Sequence, residues 1–162
     1  MKQINIEALQ AKLKLLSIDT SSDMPVLIVD RAHLLSTFHS LYQDPEYQFQ
    51  FLTDLCGIHY PDATPPVLGV VYHLHSLTQN IRLRIKSFAP VENPVFPSLS
   101  ALFSAANWME RETYDFFGIQ FEGHPDLRRI LNMDDMTYFP LRKEYPLEDT
   151  TREDKQDAYF GR

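Results

Sequence analysis

The sequence contains one cysteine, Cys56, among its 162 residues. One thiol cannot form an internal disulfide, and it cannot supply the several cysteine ligands of a Cys-rich zinc site or an iron–sulfur cluster. Glycines are also few, with five in total, and none lies in a G-x-G-x-x-G motif, a P-loop or a G-x-S-x-G serine elbow. The chain therefore shows no means of holding a nucleotide or dinucleotide by itself.

Long apolar runs and an excess of positive charge are missing as well. The longest aliphatic run is 26–29, far short of the ~20 residues that span a bilayer. The N-terminus has neither the apolar core of a signal peptide nor the Arg- and Ser-rich composition of a transit peptide, so we expect a cytoplasmic chain. Lys and Arg number 15 against 22 Asp and Glu, a formal net charge of -7, which argues against nucleic acid as the main partner.

Hydrophobic periodicity in the body, residues 1–123, changes between the 3.6-residue repeat of helices and the two-residue repeat of strands. It predicts helices over 4–16, 30–42 and 98–117, the last open to a break near Ser104, and strands over 24–29, 48–55, 67–75 and 81–88. Asp30 and Ser98 are the predicted N-caps, Gly57 and the loop 61–66 close the strand 48–55, and Gly118 ends the last helix. This order of elements indicates an α+β fold with a mostly antiparallel sheet that helices cover on one face.

Charge is concentrated in the C-terminal segment 124–162, which holds 7 Lys or Arg and 9 Asp or Glu. Its prolines interrupt helices and remove hydrogen-bond donors. Apolar and aromatic residues nevertheless recur along the segment, whereas disordered tails are poor in them. These patterns predict an extended C-terminal arm, 124–162, whose apolar anchors are buried on another surface, that of a different polypeptide.

His73 and His75 lie two residues apart on a predicted strand, so both rings point to one face, as in zinc-binding H-x-H pairs. A third ligand, Cys56, His59 or His124, would have to converge on them, and no spacing requires it. The alternative interpretation is that both histidines lie on the polar face of the sheet.

Arg82, Arg84 and Lys86 alternate along the last predicted strand and form a basic strip on an acidic protein. Nucleic-acid binding would need a positive overall field to reinforce that strip, and the net charge is negative. Two interpretations stay open, a solvated outer face and a docking surface for an acidic partner or for the acidic helix that follows.

The last predicted helix ends in the densest group of charged and aromatic residues in the sequence. Arg111 and Asp115 are i,i+4 neighbours there, and Glu112 falls near aromatic side chains. Two carboxylates and an arginine could serve general acid–base catalysis. Asp115 opposes the helix macrodipole, however, and needs a donor, which Arg111, Arg128 or Arg129 can supply. Because ion-pair networks imitate active sites, we favour a polar clamp that fixes the arm to the body.

These residues, with those that follow them, resemble the signature of a known family. The matched positions are Glu110, Arg111, Glu112, Asp115, Phe116, Phe117, His124, Arg128, Ile130 and Leu131. The pattern is similar to that of the thirty-kilodalton subunit of respiratory complex I, which in bacteria is the C subunit of NADH-quinone oxidoreductase. The likeness covers 49–147 and includes the family's arm, with anchors at Leu141, Arg142, Tyr145 and Leu147.

The resemblance implies a subunit without cofactor, metal or catalytic residues of its own. The parent complex would hold FMN, iron–sulfur clusters and quinone, oxidise NADH, reduce the quinone and move protons across the membrane. The implied partners are other complex I subunits, chiefly the forty-nine-kilodalton type, or D subunit, and cluster-bearing neighbours. The chain would lie peripherally at the cytoplasmic face of the inner membrane, held by the complex, and would help to assemble the quinone-reducing module.

Two alternatives remain beside this interpretation. The first is the equivalent subunit of a membrane-bound hydrogenase or formate hydrogenlyase, which resembles the same family and would have a nickel-binding partner. The second is a free-standing zinc-dependent hydrolase that uses His73 and His75 as ligands and Glu112 as its base.

Overall fold

The computed structural model describes residues 4–145 of the chain. In this part of the chain, three α-helices and seven β-strands follow one another. The helices are α1 (Ile6–Lys12), α2 (Arg31–Gln43) and α3 (Ala106–Phe117). The strands are β1 (Ser17–Asp19), β2 (Val26–Ile28), β3 (Phe51–Tyr60), β4 (Val67–Ser76), β5 (Ile81–Pro90), β6 (Val95–Pro97) and β7 (Gln120–Glu122).

A five-stranded sheet in the order β1-β2-β5-β4-β3 forms the centre of the fold. Its strand pairs are antiparallel except for β2 and β5, which run parallel. Strands β6 and β7 form a separate parallel pair. The predicted α+β class and mostly antiparallel sheet are therefore confirmed, and the parallel β2–β5 pair is an addition to them.

Alternation along the strands places the hydrophobic core on one face of this sheet. Leu83 and Ile85 of β5 are fully buried, whereas Arg82, which precedes Leu83, is exposed. Helix α2, capped by the Asp30 carboxylate at 2.8 Å from the Ala32 amide, packs on the buried face. The basic strip and the two histidines of β4 lie on the opposite face, away from the core.

Helix α1 ends at Lys12, so the predicted 4–16 helix is too long at its C-terminal end. Strand β3 continues to Tyr60, so the expectation that Gly57 closes it is wrong, whereas the predicted loop 61–66 does follow the strand. A Cβ at Gly57 would lie 2.5 Å from the Phe117 ring, so glycine is needed there because α3 packs against the strand. The residue marks a close approach between two elements, not a strand end.

Helix α3 starts at Ala106, just after the expected break near Ser104, so the prediction of helix over 98–105 is wrong and Ser98 is not the cap of α3. Ser98 is instead part of a turn tied to Glu110. At the other end, Gly118 adopts φ 71° and its amide bonds the Tyr114 carbonyl, as predicted for a helix stop. Strands β1, β6 and β7 were not predicted, since three residues are too few to show a period.

The first part of the arm, 124–145, contains no helix or strand and folds back along the C-terminal end of α3. The Leu141 amide donates to the Phe116 carbonyl at 3.2 Å. Part of the predicted arm therefore lies on its own body. Leu147 and the rest of the arm lie outside the described residues, so the boundary between body and arm stays a prediction.

Candidate interface at the end of helix α3

The Asp115 cluster joins α3 to the start of the arm. The Asp115 side chain is fully buried, and its Oδ2 accepts hydrogen bonds from the amides of Ile130, Leu131 and Asn132 at 3.1, 2.8 and 2.9 Å. Its Oδ1 accepts from Arg129 Nη1 at 2.8 Å and from Asn132 Nδ2 at 3.0 Å. Burial alone would raise the pKa of this carboxyl, but these donors outweigh it and hold the pKa well below its usual range.

Arg129 supplies the positive charge in this cluster and organises the loop after it. Its side chain is 8% exposed and also donates to the carbonyls of Asp115, Met136 and Tyr138. Its guanidinium lies 5.0 Å from the centre of the Phe139 ring. Of the two arm arginines predicted to compensate Asp115, Arg129 does so. Arg128 instead makes an exposed ion pair with Asp126 at 2.9 Å.

Arg111 does not pair with Asp115, contrary to the i,i+4 expectation. Both Asp115 oxygens are already occupied by donors of the arm, so Arg111 turns to the acceptors of the same loop. It donates from Nε to the Arg128 carbonyl at 3.2 Å and from Nη2 to the Arg129 carbonyl at 3.3 Å. Its guanidinium also lies 5.0 Å from the centre of the Trp108 ring. Arg111 therefore binds the carbonyl acceptors of this loop, and Asp115 binds its donors.

Glu110 faces the opposite direction, into the body. Its buried carboxylate accepts from the Ser98 hydroxyl and the Leu99 amide, both at 2.7 Å. Burial raises the pKa of Glu110 to about 7, although both hydrogen bonds act in the opposite direction. The Tyr72 hydroxyl is buried without a hydrogen-bond partner among the described residues, and burial together with the charge of Glu110 raises its pKa. Glu110 fixes the turn that precedes α3.

The remaining signature residues of α3 are occupied by packing or face solvent. Glu112 is exposed, and Phe116 offers its carbonyl to the arm. Phe117 covers Gly57 with its ring, while its carbonyl accepts from Arg142 Nε at 2.7 Å. The Arg142 guanidinium lies 4.9 Å from the Phe139 ring centre, so two arginines contact the same ring.

Two histidines also fasten the arm to the body. The His124 Nδ1 accepts from the Asp126 amide at 3.0 Å, so its Nε2 carries the proton and donates to the Asn107 carbonyl at 3.0 Å. The His59 Nδ1 accepts from the Lys143 amide at 3.0 Å. Neither ring is turned toward the histidines of β4 as a metal ligand would be.

The arm leaves many of its apolar side chains in solvent despite these bonds. Ile130 is half-buried, whereas Leu131 is 66% exposed and the anchors Leu141 and Tyr145 are 45% and 40% exposed. Trp108 on α3 is 63% exposed and lies beside the same loop. The sequence offered one signal for Trp108, its single occurrence within a polar helix, but that signal does not distinguish a core residue from a surface residue.

The two histidines of β4 have partners other than a metal. His73 Nε2 accepts from Arg84 Nε at 2.8 Å, and its Nδ1 lies 3.5 Å from the Asp54 carboxylate. His75 bonds Asn80. Residues 4–145 contain no group of three or more His, Cys, Asp or Glu side chains placed to hold a metal ion. Within the same range, no helix has the length and apolarity needed to cross a membrane.

The sequence matches a family profile over residues 27–151, described as the 30 kDa subunit of respiratory-chain NADH dehydrogenase. The NADH-quinone oxidoreductase C subunit of Mycobacterium ulcerans is 48% identical over 121 residues, which are 75% of this chain and 51% of that protein. The protein of the same name from Streptomyces coelicolor is 44% identical over 119 residues, 74% of this chain and 47% of its own. The chain spans about half the length of these relatives.

Two solved structures share the fold. One is a trypsin-resistant fragment, residues 1–134, of Nqo5, with a TM-score of 0.60 and 32% identity over 75% of this chain and 95% of the fragment. The other belongs to an archaeal respiratory membrane complex, the membrane-bound sulfane sulfur reductase, with a TM-score of 0.74 over 88% of this chain and 84% of that one. At 18% identity, the second likeness shows the fold alone. The profile match over most of its length and the likeness to the Nqo5 fragment place the chain in the 30 kDa subunit family of respiratory-chain NADH dehydrogenase.

Proposed function

We propose that this chain is a cofactor-free peripheral subunit of a proton-translocating NADH:quinone oxidoreductase, and that it assembles and stabilises the quinone-reducing module. Its contribution is structural: the arm, 124–162, docks on partner subunits, and no residue of this chain takes part in the chemistry. FMN, iron–sulfur clusters and quinone are bound by other subunits of the complex.

The observation that carries this proposal is the Asp115 cluster. Burying a carboxylate costs free energy unless donors compensate the charge. Here all five compensating donors come from the loop 129–132. The bonds fix the loop while its apolar side chains stay exposed. A catalytic carboxylate would keep an oxygen free for substrate, but both oxygens of Asp115 are occupied. The geometry therefore favours the polar clamp over acid–base catalysis.

The names of the relatives support the choice of complex. The proteins from Mycobacterium ulcerans and Streptomyces coelicolor are both C subunits of NADH-quinone oxidoreductase. The solved Nqo5 chain, 32% identical over 75% of this chain, is a trypsin-resistant fragment. We propose the D subunit, of the forty-nine-kilodalton type, and neighbouring cluster-bearing subunits as the partners. The chain would then lie at the cytoplasmic face of the inner membrane without entering the bilayer.

Affinity purification of the tagged chain from detergent-solubilised membranes of its source organism tests this function. Mass spectrometry should find NADH dehydrogenase subunits with it in stoichiometric amounts, including the quinone-site subunit. Recovery of a nickel-binding subunit in its place would identify a hydrogenase component. Recovery of the chain alone, under conditions in which the rest of the oxidoreductase purifies intact, would refute the proposal.

A matched pair of variants compares the loss of the buried charge with the loss of an exposed one. Asp115→Asn removes the buried charge at the centre of the cluster, whereas Asp126→Asn removes an exposed charge from the same loop region. We expect the first variant to lose its partner subunits and the second to keep them. Equal loss in both variants, or in neither, would contradict the proposed role of the cluster.

A further inference from the structure

Trp108 belongs to the body, yet it lies against the loop that the Asp115 cluster holds. The Arg111 guanidinium contacts the Trp108 ring and bonds two carbonyls of the loop, so a single side chain bridges them. His124 makes a second bridge, because its Nε2 bonds the carbonyl of Asn107 beside the tryptophan. Trp108 and the beginning of the arm therefore form one continuous surface.

Three large apolar side chains of this surface are mostly in solvent. Trp108, Leu131 and Met133 are 63%, 66% and 68% exposed, and we refer to them as the α3–arm surface. Their backbone is fixed by a helix on one side and by the Asp115 cluster on the other. An aromatic anchor held in place before binding loses little conformational entropy on docking, and tryptophan is enriched among residues that dominate interfaces.

Carboxylates surround the α3–arm surface. Glu112 lies one helical turn after Trp108, and Asp134 and Asp135 directly follow Met133. All three are exposed, and none of their carboxylates makes a hydrogen bond or ion pair with another of residues 4–145. The nearby cation Arg128 is already paired with Asp126. An acidic rim on a chain of net charge -7 repels an acidic partner and attracts a basic one.

We propose that the α3–arm surface is a docking site whose occupant is an apolar pocket, rimmed by Lys and Arg side chains, on a neighbouring subunit of the parent complex. The apolar centre supplies the binding free energy, and the rim supplies orientation and selects against acidic surfaces. This inference rests on the proposed function and adds to it a residue of the body, Trp108, and the chemistry of the partner.

Site-specific photo-cross-linking in the assembled complex tests which partner covers the surface. The photoreactive residue p-benzoylphenylalanine replaces Trp108, Leu131 or, as a control, Leu77, which is 68% exposed on the β4–β5 turn. We expect positions 108 and 131 to cross-link to one subunit, in a segment that combines apolar residues with Lys or Arg, and position 77 to give no such product. A cross-link from 131 without one from 108, or cross-links to an acidic segment, would overturn the inference. If none of the variants enters the complex, the proposed function itself fails.

Charge reversal tests the rim separately. The double variant Asp134→Lys/Asp135→Lys is compared with Asp62→Lys/Glu92→Lys, which makes the same change in net charge at exposed positions elsewhere. Each variant is expressed in a strain that lacks the native chain, and its dissociation from the purified complex is measured. We expect about tenfold weaker binding for the first variant at low ionic strength, a smaller difference in ~1 M salt, and wild-type binding for the control. Equal affinities of the two variants would overturn the basic-rim assignment.

Discussion

Replacing Asp115 by asparagine removes one charge and turns one acceptor into a donor, with almost no change in size. At least two of the five donors then face an amide nitrogen, and Arg129, whose side chain is 8% exposed, loses its counter-charge. Breaking a buried ion pair by removing one partner costs about 3–5 kcal/mol. The five hydrogen bonds would add up to more, but the loop can detach and hydrate its donors, which limits the loss to a value in that range.

Hydrogen exchange and urea unfolding measure the two consequences of Asp115→Asn. We expect the amides of Ile130, Leu131 and Asn132 to exchange much faster in the variant, because they donate to the lost carboxylate. The urea midpoint should fall. Asp126→Asn, which removes an exposed ion pair, should cost about 1 kcal/mol or less. Unchanged exchange at these three amides, with unfolding free energies equal in both variants, would refute the reasoning.

Three further predictions concern single substitutions in the same region. The pKa of Glu110 is raised from 4.5 to about 7 in the folded chain, so the stability it contributes is fully present below pH 4.5 and is lost as the pH rises through 7. Thermal unfolding of the wild type should therefore show a decline between pH 5 and pH 8, worth up to roughly 3 kcal/mol, that is absent in Glu110→Gln. For Asp115 the sign is opposite: its lowered pKa adds stability at neutral pH that is lost only under strong acid, and Asp115→Asn should flatten the acid limb of the same titration. Gly118 and Gly123 both have positive φ, 71° and 83°, but only at Gly118 would a Cβ meet another residue, the Phe139 ring at 2.5 Å. Gly123→Ala should cost only the strain of a non-glycine residue at positive φ, about 1–2 kcal/mol, and Gly118→Ala should lower the urea midpoint further. Equal effects of the two substitutions would argue against the Phe139 contact.

The parts of the fold that sequence reasoning predicted are those with a full period. Buried and more exposed residues alternate along the whole of β5, and α2 has a capping aspartate and an apolar stripe. Both elements were therefore placed correctly. The three-residue strands β1, β6 and β7 are too short to show a period. They form because β1 pairs with β2, and β6 pairs with β7. Gly57 misled the prediction because a glycine that ends a strand and one that admits a neighbouring ring have the same local sequence.

The sequence indicated a polar clamp between the arm and the body, but not which groups form its hydrogen bonds. Charge placement correctly indicated that Asp115 needs compensation from the arm, and Arg129 was one of the named candidates. Three of the donors, however, are backbone amides of 130–132, and any sequence has amides at every such position. Because those amides occupy the Asp115 carboxylate, Arg111 donates to the loop carbonyls instead, and residue spacing does not predict this.

Hydroxyl-radical footprinting tests most directly whether this chain presents a fixed surface to a neighbour in the complex. The oxidation of Trp108 and Met133 is measured in the isolated chain and in the purified oxidoreductase, with Leu77 as the internal reference. We predict that both side chains are oxidised readily in the isolated chain and at least about tenfold more slowly in the complex, at unchanged oxidation of Leu77. Equal oxidation of Trp108 and Met133 in the two states would contradict the docking of this surface.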